Sequence, residues 1–108
     1  MEKVYILGGL RTAIGKTGGC FEKMLPELLA AKILEVLPNK YNLEAVDIDQ
    51  VILGNTVGPG GNIARLSILK AGWPLSIPAV TIDFQCGSAL SSVNMAAALI
   101  KSGQADVI

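Results

Sequence analysis

The sequence predicts an α/β fold with a mainly parallel sheet covered by helices. Four short runs rich in β-branched and apolar residues alternate with three segments in which apolar residues recur every three or four positions. Glycine and proline cluster between these segments, as is typical of turns. Because strands that alternate with helices join through crossover connections, they pair in parallel, and we expect helices against both faces of one sheet.

The first part of the chain predicts a strand, a loop and a helix. Residues 3–9 (KVYILGG) form an apolar run that two glycines end, which predicts a buried strand. Residues 10–24 are rich in glycine and show no apolar period, so they predict a loop. From Pro26 onward apolar residues recur at helical spacing. Pro38 with Asn39 is expected to end this helix, because proline lacks the amide hydrogen that a helix needs.

The middle of the chain predicts two strands on either side of a capped helix. Residues 47–55 (DIDQVILGN) predict the second strand, and residues 79–84 (AVTIDF) predict the third. Between them, a turn-rich loop leads to Asn62, which is expected to cap the N-terminus of a helix. Gly72 is expected to close that helix, since glycine readily adopts the left-handed conformation common after a helix.

The last predicted helix, residues 88–103 (SALSSVNMAAALIKSG), carries small or apolar residues on nearly every face. A helix that is apolar all round is typical of a protein interior, so we expect it to be buried, with Gly103 as its cap. Residues 105–108 (ADVI) begin a fourth strand pattern. Residues 1–108 are therefore interpreted as one partial domain that ends inside its fourth strand.

The composition favours burial of the surface against further protein. The chain has 108 residues, of which 51% are hydrophobic and 17% charged. So few charges leave apolar faces uncovered on a small domain. Nine acidic and nine basic residues cancel, which excludes a strong attraction to nucleic acid or anionic membranes. With two cysteines, no membrane-spanning apolar run and no secretory signal, we expect a cytoplasmic location.

Two glycine-rich segments match nucleotide-binding loops only in part. Residues 13–19 (AIGKTGG) lack the glycine that a phosphate-binding loop has five positions before Gly15. Residues 58–63 (GPGGNI) end in Ile63, where a dinucleotide-binding turn has its third glycine. We therefore expect neither loop to bind phosphate, and we interpret Arg65 as a surface or interface charge.

Cys86 carries the strongest chemical signal. It lies where the third predicted strand passes into the last helix, and a helix N-terminus favours the thiolate form of a cysteine. Gly87 leaves room for a carbonyl group to approach the sulfur, an arrangement suited to acyl transfer through a thioester. The alternative is a buried and inert cysteine, which is common for free thiols. These residues alone leave both interpretations open; Cys20 lies in a loop without such a setting.

Polar residues beside Cys86 are interpreted as structural. Asp83 falls on a predicted buried strand, where a carboxylate needs partners, and we expect it to bond to loop amides or to a partner subunit. Ser88, Ser91 and Ser92 are expected to form hydrogen bonds in the first turns of the helix rather than to act as nucleophiles.

Four segments, in order, resemble the N-terminal segment of thiolases, the acetyl-CoA C-acetyltransferase family. They are residues 4–19 (VYILGGLRTAIGKTGG), 51–65 (VILGNTVGPGGNIAR), 77–90 (IPAVTIDFQCGSAL) and 96–108 (AAALIKSGQADVI). Several motifs in register are more specific than any one of them, and together they extend along the whole chain.

The resemblance implies that Cys86 accepts an acyl group from an acyl-CoA and passes it to a second acyl-CoA in a Claisen condensation. In the reverse direction the same machinery cleaves a 3-ketoacyl-CoA. It also implies an oxyanion contact from the Cys86 amide, coenzyme A thioesters as substrates, no bound cofactor and no metal. The activating histidine and second catalytic cysteine of the family belong to its C-terminal half. This sequence has no histidine, and Cys20 matches neither residue, so we expect the 108-residue chain alone to be inactive.

The resemblance further implies a five-layered αβαβα fold of two similar halves, of which this chain is the incomplete N-terminal one. It implies a dimer or tetramer formed through the strand Val80–Phe84. The sequence departs from the family at Asp83, commonly asparagine, at Ala89, commonly glycine, and at Ser91, commonly lysine. These departures leave the acyl-chain preference open.

Two other functions are kept as alternatives. A condensing enzyme of the ketoacyl-synthase type also places a cysteine between a strand and a buried helix, but residues 11–16 (RTAIGK) and 61–65 (GNIAR) favour thiolase. A non-catalytic interaction module would use its apolar faces to bind a partner chain. Alkylation of Cys86 that is no faster than that of Cys20 in the complete protein would favour the module.

Overall fold

The computed structural model describes residues 3–108, and its elements confirm the predicted α/β class. In chain order they are helix α1 (Pro26–Lys40), a 3₁₀ turn (Ala45–Asp47), strand β1 (Val51–Gly54), helix α2 (Ile63–Lys70), strand β2 (Ala79–Ile82) and helix α3 (Ser88–Lys101). None of the helices within residues 3–108 combines the length and the apolar character needed to span a lipid bilayer.

The two strands lie side by side in parallel, with Val51 opposite Ala79 and Gly54 opposite Ile82. Helix α2 connects them, since parallel strands need a crossover connection. The amide of Asn55 extends the pairing by one hydrogen bond of 2.9 Å to the carbonyl oxygen of Ile82. Both strands therefore end at the same edge of the sheet, which brings the loop after β1 beside the segment that follows β2.

The hydrophobic core lies between α2 and one face of the sheet. Ala64 and Ile68 of α2 are fully buried and belong to one cluster with Val51, Ile77 and Leu34. Because alternate residues of a strand point to opposite faces, α2 covers the face to which Val51 points.

Helix α3 packs against the opposite face of the sheet at Gly54, the position of β1 that has no side chain. A Cβ atom on Gly54 would lie 2.6 Å from the amide nitrogen of Ala89 and 2.6 Å from the carbonyl carbon of Ser88. Such a distance is too short for a real contact, so only glycine allows this approach. Gly54 is three residues after Val51 and therefore points to the other face. It seats the first turn of α3 against the carboxyl end of β1.

The predicted ends of α2 and α3 are confirmed. The Asn62 side chain accepts a hydrogen bond of 3.0 Å from the amide of Arg65, as an N-cap does. Gly72 and Gly103 follow the two helices with φ values of +72° and +73°. This left-handed conformation is the one expected of a glycine that closes a helix.

The prediction that Pro38 and Asn39 end α1 is wrong, because the helix reaches Lys40. A proline in the last turn forfeits the hydrogen bond of its own nitrogen. Its carbonyl oxygen still accepts hydrogen bonds from the amides of Tyr41 at 2.9 Å and Leu43 at 3.0 Å. The last turn therefore closes around Pro38.

The predicted first strand is not formed. Residues 3–9 contain no strand, and Tyr5 and Ile6 are 72% and 82% exposed. A strand needs a neighbour whose backbone pairs with it, and no other part of residues 3–108 supplies one. Strands β1 and β2 are also shorter than the predicted ranges 47–55 and 79–84, since their mutual pairing spans four residues in each.

Residues 105–108, expected to begin a fourth strand, contain no strand within the described part of the chain. The carboxylate of Asp49 accepts hydrogen bonds from the amides of Asp106 at 2.6 Å and Val107 at 3.0 Å. These two hydrogen bonds, of which that from Val107 has the larger effect, hold the pKa of Asp49 below its ordinary value of 3.8. Desolvation acts in the opposite direction. The assignment of residues 1–108 to one domain stays a prediction.

The prediction that α3 is buried on every face does not hold within residues 3–108. Ser88 and Ser92 are its buried residues, whereas Leu90 is 67% and Val93 is 49% exposed. The helix contacts the sheet with one side, and no element of the described chain covers the other.

Candidate active site

Cys86 lies in the short connection between the end of β2 and the start of α3, as the sequence predicts. Its thiol is free and its side chain is exposed. The described residues therefore do not bury Cys86, and its role as the acyl acceptor stays a prediction. Cys20 is also free and exposed, so the two cysteines form no disulfide.

The backbone immediately before Cys86 makes a sharp left-handed turn. Gln85 has a φ of +49°, a region that residues other than glycine rarely adopt. Holding a side-chain-bearing residue there costs about 1–3 kcal/mol, so surrounding contacts must fix it. No signal in the sequence predicts this turn, because glutamine has no special preference for positive φ.

One buried hydroxyl group connects the two peptide units around that turn. The Ser88 hydroxyl accepts a hydrogen bond of 2.7 Å from the amide of Phe84 and donates one of 2.6 Å to the carbonyl oxygen of Gln85. The backbone adds bonds of 3.1 Å from Gly87 to Phe84 and from Ser88 to Gln85. Hydrogen bonds between Phe84 and the first turn of α3 therefore hold the backbone on both sides of Cys86, while its side chain stays exposed.

Asp83 supplies a further bond to the turn. Its carboxylate accepts a hydrogen bond of 3.0 Å from the amide of Gln85, which confirms the expected contact with a loop amide. The expected burial of Asp83 is wrong, because β2 ends at Ile82 and the carboxylate is exposed.

Ser88 and Ser92 form the expected side-chain hydrogen bonds at the start of α3, and the Ser92 hydroxyl donates to the carbonyl oxygen of Ser88 at 2.9 Å. For Ser91 the described residues show only the backbone bond of its amide to the carbonyl oxygen of Gly87 at 2.9 Å. No hydrogen bond of the Cys86 amide is found within residues 3–108.

A polar cleft lies next to the Cys86 turn, at the carboxyl ends of both strands. Its volume is about 330 Å³, and it is lined by Asn55, Thr56, Gly58, Pro59, Gly60, Gly61, Thr81 and Asp83. The side-chain amide of Asn55 donates to the carbonyl oxygen of Pro59 at 3.0 Å and closes the loop that forms one wall. In open α/β sheets, ligands bind at the carboxyl ends of the strands. Asp83 contributes both to this cleft and to the Cys86 turn.

The other wall of the cleft is fixed by Asn62 and Thr81. The Thr81 hydroxyl donates to the side-chain oxygen of Asn62 at 2.6 Å and accepts from the amide of Ala64 at 3.0 Å. The side-chain amide of Asn62 also donates to the carbonyl oxygen of Ala79 at 2.9 Å. These bonds join the start of α2 to β2 at Ala79 and at Thr81.

Arg65 has a structural role that the sequence analysis did not find. Its guanidinium group donates to the carbonyl oxygens of Ile77 at 2.8 Å and Leu75 at 3.0 Å. The interpretation of Arg65 as a surface or interface charge is incomplete, because the partly buried side chain also holds the segment that leads into β2. The contacts join residues ten or more positions apart, and no local pattern signals them.

Comparisons with known proteins identify relatives of this chain. The family model described as "Thiolase, N-terminal domain" matches residues 4–108. YhfS of Bacillus subtilis (strain 168), provisionally named as an acetyl-CoA C-acetyltransferase, is 49% identical over 98 residues, which cover 91% of this chain and 26% of that protein. VraB of Staphylococcus aureus, provisionally named likewise, is 46% identical over 107 residues in strain COL and 47% over 108 in strain MSSA476. Each VraB alignment covers 99% of this chain and 28% of the relative, so the chain spans about a quarter of the length of these proteins.

Proposed function

Because the chain belongs to the thiolase family as its N-terminal domain, we propose that the complete protein is an acyl-CoA acyltransferase with Cys86 as acyl acceptor. The observation that carries this proposal is the exposed, free Cys86 thiol on the left-handed turn between β2 and α3. A sharp strand-to-helix turn is a recurrent way to present a nucleophile at the edge of a sheet.

In the proposed reaction, the thiolate of Cys86 attacks the thioester carbonyl of an acyl-CoA. The new carbon–sulfur bond to Cys86 forms as the bond to coenzyme A breaks, and coenzyme A leaves as a thiol after taking up a proton. The acyl group then passes to the α-carbon of a second acyl-CoA, which loses a proton there, or the reverse sequence cleaves a 3-ketoacyl-CoA. The Cys86 amide, which has no hydrogen-bond partner within residues 3–108, is the proposed oxyanion donor.

The proposal assigns the rest of the machinery to residues outside this sequence. An activating histidine is needed to take the thiol proton, and the sequence contains none. We therefore expect no turnover of acetoacetyl-CoA and coenzyme A by the 108-residue chain alone. Coenzyme A thioesters are the proposed substrates, with no bound cofactor and no metal.

We also propose that the protein is a dimer or tetramer that pairs through residues Val80–Phe84. In the described chain β2 pairs with β1 on one edge, and Asn62 bonds to the Ala79 carbonyl on the other. This leaves the end of β2 as the segment for a second copy. Sedimentation of the complete protein at micromolar concentration should give a dimer or tetramer, and a monomer would contradict this part of the proposal.

The proposed location is the cytoplasm, since a reducing compartment keeps both free thiols reduced.

Acylation of the complete natural protein tests the main proposal. After incubation with acetyl-CoA, peptide mass spectrometry should find one acetyl group on Cys86, and iodoacetamide should modify Cys86 at least about tenfold faster than Cys20. Cys86→Ala should abolish the adduct, while the control Cys20→Ala should retain it. An adduct that persists in Cys86→Ala, or equal alkylation of the two cysteines, would contradict the proposal and favour a non-catalytic interaction module.

A further inference from the structure

We propose that Ser88 is a positioning residue for Cys86, whose single hydroxyl group holds the left-handed turn at Gln85. The inference deepens the proposed function and rests on it, because the turn matters for activity only if Cys86 is the acyl acceptor. Ser88 itself lies two residues beyond Cys86, in the first turn of α3.

The geometry of the hydroxyl group carries this assignment. Ser88 is 4% exposed, and its oxygen lies 2.7 Å from the amide nitrogen of Phe84 and 2.6 Å from the carbonyl oxygen of Gln85. A hydroxyl group has one hydrogen to donate and lone pairs to accept, so a single atom satisfies both partners. These two partners bracket the backbone dihedral angles of Phe84 and Gln85, so holding both restrains the turn.

Neighbouring contacts do not replace this hydroxyl group. The carboxylate of Asp83 bonds to the amide of Gln85, but this contact is exposed and water competes for it. Two backbone hydrogen bonds, from Gly87 to Phe84 and from Ser88 to Gln85, also close the turn, but neither gives the amide of Phe84 a partner. Without the Ser88 hydroxyl, the amide of Phe84 loses its partner in a partly buried place, which costs about 1–3 kcal/mol. That cost is comparable to the strain of the left-handed turn, so the turn would relax and redirect Cys86.

The chain offers two matched controls for removal of a buried serine hydroxyl. Ser92, one turn further along α3, donates to the carbonyl oxygen of Ser88 at 2.9 Å, and Ser67 of α2 donates to that of Ile63 at 2.7 Å. Both are buried, with 6% and 0% exposure, and neither contacts the turn at Gln85. Their replacement by alanine removes the same atom from the same kind of surroundings.

The test measures the rates at which Cys86 and Cys20 react with iodoacetamide in the complete natural protein, at a temperature well below each variant's melting point. Ser88→Ala should slow Cys86 about tenfold, with Cys20 unchanged. Ser92→Ala and Ser67→Ala should change either rate by less than about twofold, since the turn is intact. Ser88→Thr keeps the hydroxyl group and should restore the Cys86 rate to within about threefold of the natural protein.

A second background separates the turn from general stability. In Gln85→Gly the left-handed conformation carries no steric strain, so adding Ser88→Ala should slow Cys86 less than about threefold. A Cys86 rate that is unchanged in Ser88→Ala, equally slowed in Ser92→Ala, or not restored by Ser88→Thr would overturn the assignment. Failure of the proposed function has a different signature, namely no acetyl group on Cys86 in the natural protein, whatever the residue at position 88.

Discussion

The two faces of the sheet differ in how far their helices are covered. On one face, α2 buries Ala64, Ser67 and Ile68 completely. On the other, α3 buries only Ser88 and Ser92, and Leu90 is 67% exposed, although α3 is the more apolar helix. The contrast teaches that the neighbours of a helix, rather than its own hydrophobicity, decide its burial. Within residues 3–108, the α2 face supplies the packing and the α3 face carries the candidate nucleophile.

An apolar cavity larger than the polar cleft borders α3. A space of about 950 Å³ lies between the opening segment of the chain, α1, β1 and α3. Its walls include Leu7, Leu37, Ile52, Val93 and Ile100, so they are largely apolar. Apolar surface of this extent is typical of a face that other protein covers.

The largest difference between the two faces should appear when one aliphatic side chain is shortened on each. Ile68→Ala should lower the free energy of unfolding by about 3 kcal/mol, because Ile68 is fully buried and a cavity would remain. Leu90→Ala should change it by less than about 1 kcal/mol in the same 108-residue chain. Urea unfolding followed by circular dichroism measures both. Equal losses at the two positions would show that the α3 face is packed in solution.

An intermediate effect is expected at the contact that joins α3 to the sheet. Gly54→Ala places a methyl group against the backbone of Ala89 and Ser88, and should destabilise the chain by about 1–3 kcal/mol. It should also slow alkylation of Cys86, since α3 must shift at its first turn. Gly9→Ala is the matched control, because no atom lies within 4 Å of the added carbon. If Gly54→Ala left both stability and alkylation unchanged, Gly54 would not seat α3.

The smallest effect concerns Asp49, whose carboxylate holds residues near Val107. Since hydrogen bonds lower the pKa of folded Asp49 below 3.8, their stabilisation is present above 3.8 and is lost as the pH falls through the lowered value. The amide resonance of Val107 should therefore move with a midpoint below 3.8 in an acid titration followed by NMR. Asp49→Asn keeps an acceptor that does not titrate, and should remove this transition. A midpoint at or above 3.8 would mean that the contact does not form in solution.

Local sequence signals predicted the parts of the fold that depend on neighbouring residues. The cap at Asn62, the closing Gly72 and Gly103, and the change from strand to helix at Cys86 all follow from residue types within a few positions of each other. The single failure of this kind is Pro38, where the carbonyl group keeps the last turn of α1 closed.

Features that depend on distant residues could not be predicted in this way. The Ser88 hydroxyl, which bonds to the carbonyl group of Gln85, belongs to a helix whose first turn packs on Gly54, more than thirty positions from Gln85. The contacts of Arg65 with the segment before β2 and the exposure of residues 3–9 likewise depend on which parts of the chain meet. The candidate nucleophile was therefore predictable by position, but the turn that presents it was not.

The hydrogen bonds of Asn62 also couple the position of β2 to that of α2. A shift of β2 along its axis would break the hydrogen bonds of Asn62 with Ala79 and Thr81 at the same time, so these bonds couple β2 to the start of α2. Thr81 forms part of the wall of the polar cleft. Because Asn62 ties this part of β2 to the start of α2, a molecule in the cleft would meet a wall that is fixed to a helix rather than a free strand end.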